Sequence, residues 1–175
     1  MEEEPVGDRH RGLVLDANVL IDYRDTDLGV LSLVATHVAP VCVPGPILTE
    51  VLGLDEATCR DLGIEPYKPT LEVLVEAGRR IGSLSFADRL VWLVARNRAW
   101  TCVTNEKPLR RLCATDGIRT LWGLNLMLPL VECGELEVTR AVEVADDIHR
   151  NNPHYITAAI VARFGERCRD ISQRS

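Results

Sequence analysis

The fold this sequence predicts is an α/β three-layer sandwich. A central parallel sheet of four or five strands is flanked by helices, and a helical extension follows at the C-terminal end. Three observations predict it. Short apolar runs without polar alternation, such as Gly12 to Asp16 (GLVLD) and Trp100 to Val103, read as strands buried on both faces. Stretches with helical periodicity separate them, which is the order that builds a parallel sheet. The last fifty or so residues carry no strand signal. The 175 residues are 46% hydrophobic and 26% charged, a composition that can bury one core and argues against disorder or coiled coil.

Taken in order, residues 1–12 (MEEEPVGDRHRG) form a polar, acidic segment without a secretory apolar region, so a cytoplasmic protein is expected. The strand that ends at Asp16 leads into a helix over Ala17 to Tyr23, then a helix over Leu28 to His37 and a strand over Pro40 to Val43. Pro44, Gly45 and Pro46 mark a turn, and Pro46 suits the first position of a helix reaching Leu54. Gly63, Pro66 and Pro69 make Glu56 to Pro69 mostly loop. Helical periodicity returns over Thr70 to Ile81. Ser85 opens a helix to Arg98, and Trp100 to Val103 is the third strand. Lys107 to Ala114 reads as helix and Ile118 to Trp122 as a further strand. Helices over Leu124–Cys133, Thr139–Arg150 and Ile156–Arg169 complete the chain. The expected organisation is thus a polar lead (1–12), an α/β domain (13–122) and a helical extension (123–175) packed on the same domain.

Several function classes are disfavoured at once. The longest nearly uncharged apolar stretch, Leu121 to Val131, falls well short of the roughly 20 residues that span a bilayer, so no membrane partner is expected. The six cysteines form no C-x-x-C pair and the four histidines show no ligand spacing, which argues for buried free thiols rather than zinc. The net charge of −6 conceals a basic segment: residues 79–120 hold nine basic and three acidic side chains. Eighteen of the chain's twenty basic residues are arginine, the side chain that grips phosphate bidentately.

The acids that interrupt apolar elements carry the chemistry. Asp16 ends the first strand, with Asn18 two residues on, and the carboxyl end of a parallel strand faces the ligand crevice. Alone, Asp-Ala-Asn there is a helix cap. Glu50 is expected on the helix that begins at Pro46, on the side of Ile47 and Leu54. Asp88 completes an S-x-x-D capping box with Ser85 while sharing a side with Val91, Trp92 and Ala95; Arg89 and Arg96 mark a wetter side. Thr104, Asn105 and Glu106 follow the third strand, where Thr104 occupies the place equivalent to Asp16. Each signal alone is weak. Together they suggest several acids at strand ends and helix starts, which would repel unless a cation such as Mg²⁺ or Mn²⁺ neutralised them. Such a site activates water and offsets charge on a phosphodiester.

In order and spacing, LVLDANVLIDY, ILTEVLGL, SFADRLVWLVA and VTNEKPLRRLC resemble the signature of the PIN-domain family over about Leu13 to Trp122. Within that family the chain looks most like small prokaryotic VapC-like toxin ribonucleases. The resemblance implies a Mg²⁺- or Mn²⁺-dependent endoribonuclease, toxin-like, with RNA as substrate. Its implied partner is an antitoxin protein; separately, the apolar surface of LNLMLPLVECG is expected either to pack on the helices of the sheet, the favoured outcome, or to build a homodimer. By motif match, Asp16, Glu50 and Asp88 are the first three catalytic and metal-binding acids and Glu106 stands at the fourth, where the family commonly has Asp. Asn18, Thr104 and Asn105 would orient ligands. Arg89, Arg96, Lys107, Arg110 and Arg111, in the basic segment, are the expected RNA contacts. Two other readings remain: a catalytically weakened PIN-like RNA-binding or scaffold domain, and a hydrolase with an aspartyl nucleophile, for which the chain lacks a D-x-D arrangement. Trp92, Trp100 and Trp122 lie in apolar runs and read as core rather than as base-stacking platforms.

Overall fold

Leu13–Leu15 (β1), Val41–Pro44 (β2) and Thr101–Val103 (β4) are short, almost wholly buried strands, the pattern expected when helices cover both faces of a sheet. The computed structural model describes residues 11–174. Two further strands, Ile64–Tyr67 (β3) and Thr120–Leu121 (β5), complete a five-stranded sheet in the order β3-β2-β1-β4-β5. Every pairing is parallel, with Leu13 opposite both Val41 and Thr101. The fold is therefore the three-layer α/β sandwich.

The helices between the strands are Ala17–Arg24 (α1), Leu28–His37 (α2), Gly45–Leu48 (α3), Glu56–Asp61 (α4), Leu71–Gly78 (α5), Phe86–Arg98 (α6) and Lys107–Thr115 (α7). After β5 come a 3₁₀ turn (Gly123–Met127) and the helices Leu128–Glu132 (α8), Val138–Asn151 (α9) and Ala158–Arg174 (α10). α9 packs on α10 and on α1, and α8 on α2. One continuous core runs from Leu13 to Cys168. The apolar stretch after β5 is consumed in that core: Leu126, Met127, Leu128 and Leu130 are all buried. No helix among the described residues is long and apolar enough to cross a membrane.

The structure corrects the sequence expectations in two places. The Glu56 to Pro69 segment is not loop but α4 followed by β3. Asp55 caps α4 through the Thr58 amide, and β3 lies at the sheet edge, where a proline such as Pro66 is tolerated. The helix expected from Pro46 to Leu54 ends at Leu48. Beyond it Glu50, Val51 and Leu54 bond three residues back rather than four, and the Thr49 hydroxyl donates to the Pro46 carbonyl. Gly53, at φ +77°, then turns the chain. Glu50 thus sits in an exposed turn, not on a helix.

Candidate functional site

From β1 the chain steps outward to β2 and β3, then returns to the other side of β1 to form β4 and β5. The direction reverses between β1 and β4, and in open parallel sheets the crevice at such a switch point is where ligands bind. Asp16 leaves β1 there and Thr104 to Glu106 leave β4. The Asp16 amide donates to the Val103 carbonyl at 3.1 Å, which fastens the two strand ends together.

Asp16 caps α1: its Oδ1 accepts from the Val19 amide at 2.7 Å. The residue is only 2% exposed, and no hydrogen-bond donor reaches its buried Oδ2. Burial pushes the carboxyl pKa up to about 7. The neighbouring Thr104 hydroxyl and the Val19 amide favour the charged form, whereas the charges of Asp88 and Glu106 oppose it further. A lone buried acceptor is costly to keep, and here two like charges act on it as well.

Asp88 completes the capping box: its Oδ2 accepts from the Ser85 amide at 2.9 Å and the Ser85 hydroxyl at 2.8 Å. Glu106 Oε1 accepts from Asn18 Nδ2 at 2.8 Å, and the Glu106 amide donates to Thr104 Oγ1 at 3.0 Å. Thr104 itself is fully buried. Asp16, Asp88 and Glu106 therefore each spend one carboxylate oxygen on the protein and keep the other free among the described residues. Asn18 is the side chain that holds Glu106.

Other expected site residues are placed differently. Asn105 Oδ1 accepts from the Gly123 amide at 3.0 Å and its Nδ2 faces Asp22 Oδ2 at 3.4 Å, so its amide serves the fold. Asp22 also accepts from Asn152 Nδ2 at 2.9 Å, and burial raises its pKa to about 6. Sequence reasoning missed Asp22 and Asn152. The available signal was an acid inside the otherwise apolar run of α1. Arg89 is the plain correction among the expected RNA contacts. It is 8% exposed, and its guanidinium donates to the carbonyls of Ala77 and Leu84, so it belongs to the interior rather than to a wet face. Arg96 stacks on Trp92 and pairs with Glu76. Arg110 lies 3.8 Å over the Trp122 ring and donates to the Thr104 carbonyl, while Lys107 and Arg111 are exposed on α7.

Free carboxylate oxygens and a hydroxyl are hard donors of the kind that take Mg²⁺ or Mn²⁺. They do not form a finished shell: among the described residues no group of three or more His, Cys, Asp or Glu stands close enough to hold a metal ion. The donor chemistry fits a cation at Asp16, whereas the fourfold convergence expected from sequence is not seen. Set against family models, curated proteins and solved structures, the chain matches none.

Proposed function

We propose that this chain is a metal-dependent endoribonuclease of the PIN-like, VapC-like kind, with Asp16 at its centre. The observation that carries the reading is the buried, unpartnered Oδ2 of Asp16 at the β1/β4 switch point, with two further carboxylates acting on it. By motif resemblance Asp16, Glu50, Asp88 and Glu106 would hold Mg²⁺ or Mn²⁺; Asp88 and Glu106 are near enough to act on Asp16 through their charge, and Glu50 is exposed in its turn. A divalent ion bound there supplies an activated water and charge neutralisation at a phosphodiester. The chain's own residues do the rest. Asp16 would anchor the ion through its free oxygen, Asn18 fixes Glu106, and Thr104 braces the loop that carries it. Lys107, Arg110 and Arg111 offer cations to the RNA backbone beside the site. As a toxin-like nuclease, the protein would be held in check by an antitoxin partner.

The test is incubation of structured and unstructured RNA with Mn²⁺ or with EDTA. Wild type should cleave only with Mn²⁺, and Asp16→Asn and Asp88→Asn should each lose roughly 100-fold or more, the scale on which removing one charge-stabilising group is felt. Cleavage that ignores chelation and both substitutions would refute the mechanism. The lack of a closed three-acid group favours a second reading, a non-catalytic RNA-binding or scaffold domain. That reading predicts no Mn²⁺ binding by calorimetry, whereas the nuclease predicts binding that disappears in Asp16→Asn.

A further inference from the structure

Beyond the end of β5, the chain and α10 enclose a recess of about 60 Å³. Asn105, Trp122, Tyr155, Arg163, Phe164 and Arg167 are among the residues that line it. Its composition runs against that of the whole chain. The net charge is −6, yet two arginines and no acid line the recess. Arg163 is exposed and has no hydrogen-bond or ion-pair partner among the described residues, and Arg167 reaches only Asn125 Oδ1 at 3.3 Å. Beside Asn105 and Asn125 the remaining walls are apolar and aromatic: Phe164 is buried, Tyr155 is 43% exposed, and Arg110 stacks on Trp122. Guanidinium groups that meet no carboxylate, beside aromatic rings, suit a ligand that joins a flat aromatic body to an anion. A nucleotide has that chemistry.

The recess also has a neighbour. Asn105, which lines it, is flanked in the chain by Thr104 and Glu106 of the candidate site. We propose that this recess is a nucleotide subsite that seats one unstacked base of a single-stranded RNA, with Arg163 and Arg167 on the adjoining phosphate. The proposal rests on the ribonuclease reading and deepens it, since it makes the helical extension part of substrate selection. At about 60 Å³ the recess is under half the size of a cavity of roughly 150 Å³ that encloses a benzene ring. A base therefore enters partway, a pyrimidine more easily than a purine, and Tyr155 covers what remains outside.

The experiment measures fluorescence anisotropy of a labelled short oligouridylate with the full chain in EDTA, so that cleavage is not needed. Arg163→Ala and Tyr155→Ala, both at exposed positions, should each weaken binding by roughly tenfold, the scale of losing one base stack. Arg174→Ala, the same charge loss at the far end of α10, should change it little. An abasic oligomer should bind as weakly as the Tyr155→Ala complex. An Arg163→Ala loss no larger than that of Arg174→Ala, or equal binding of duplex RNA, overturns the subsite. The two readings fail separately. Binding that depends on Arg163 and Tyr155 in a chain that never cleaves RNA with Mn²⁺ keeps the subsite and refutes the nuclease. Mn²⁺-dependent cleavage and RNA binding indifferent to both substitutions do the reverse.

Discussion

Asp16 does two things at once: one carboxylate oxygen caps α1 and the other meets no donor. With a folded pKa raised to about 7, it keeps its proton across a range where the unfolded chain has released it. Its folded form binds the extra proton, so the stability this group contributes falls as pH climbs from about 4 to 7, by up to about 4 kcal/mol in all. Asparagine preserves the cap and never charges. Asp16→Asn should therefore melt close to wild type at about pH 4, where the folded carboxyl is protonated and the unfolded one only partly ionised, and several degrees above it at pH 8, in EDTA. Thermal unfolding at the two pH values checks this, and an asparagine variant no more stable at pH 8 would contradict it. If the site takes Mn²⁺, the ion should raise the wild-type melting temperature at pH 8 and leave the variant unmoved.

At the scale of elements, what could be read in the chain was what nearest neighbours decide. β1 and β4 were legible because an unbroken apolar run bounded by polar residues has few other ways to be buried. The capping box of α6 was legible because its four residues are contiguous. The β3 edge strand was not, since Pro66 argues against a strand until its place at the edge is known. α3 was read too long because three-residue backbone turns and the Thr49 hydroxyl compete with helix over a span where the side-chain periodicity persists. One helix end still carries strain. α6 closes on Ala99 in the left-handed region at φ 53°, exposed and without a glycine's freedom. Ala99→Gly should stabilise the protein by up to about 1 kcal/mol despite the greater entropy of unfolded glycine. Urea unfolding would show it as a higher midpoint at unchanged slope, and a lower midpoint would rule it out.

Across the whole molecule, the proposed function would depend on residues distant in sequence acting together at the switch point. The motif blocks marked Asp16, Glu50, Asp88 and Glu106, but not that Glu50 lies in an exposed turn, which oxygens stay free or that Arg89 is spent on carbonyls, because those facts exist only once the helices have packed. The recess was invisible for the same reason, since its walls come from residues 105, 122–125 and 155–167. The extension is bound to the α/β unit by a small polar bridge as well as by its apolar face. Asn152, at the end of α9, donates to Asp22 of α1, which also faces Asn105 beside the candidate site. Asn152→Ala removes the bond that holds the Asp22 pKa down against burial, so that pKa should rise further above about 6. The cost appears only where Asp22 is charged: about 1–3 kcal/mol for stranding a partly buried carboxylate at pH 8, and much less at pH 5, where it takes up a proton. Urea unfolding at the two pH values tests this. Equal destabilisation at both would mean that Asn152 contributes packing rather than a hydrogen bond. A pH-dependent loss accompanied by weaker RNA binding would mean that this bridge sets the position of the recess relative to Asp16.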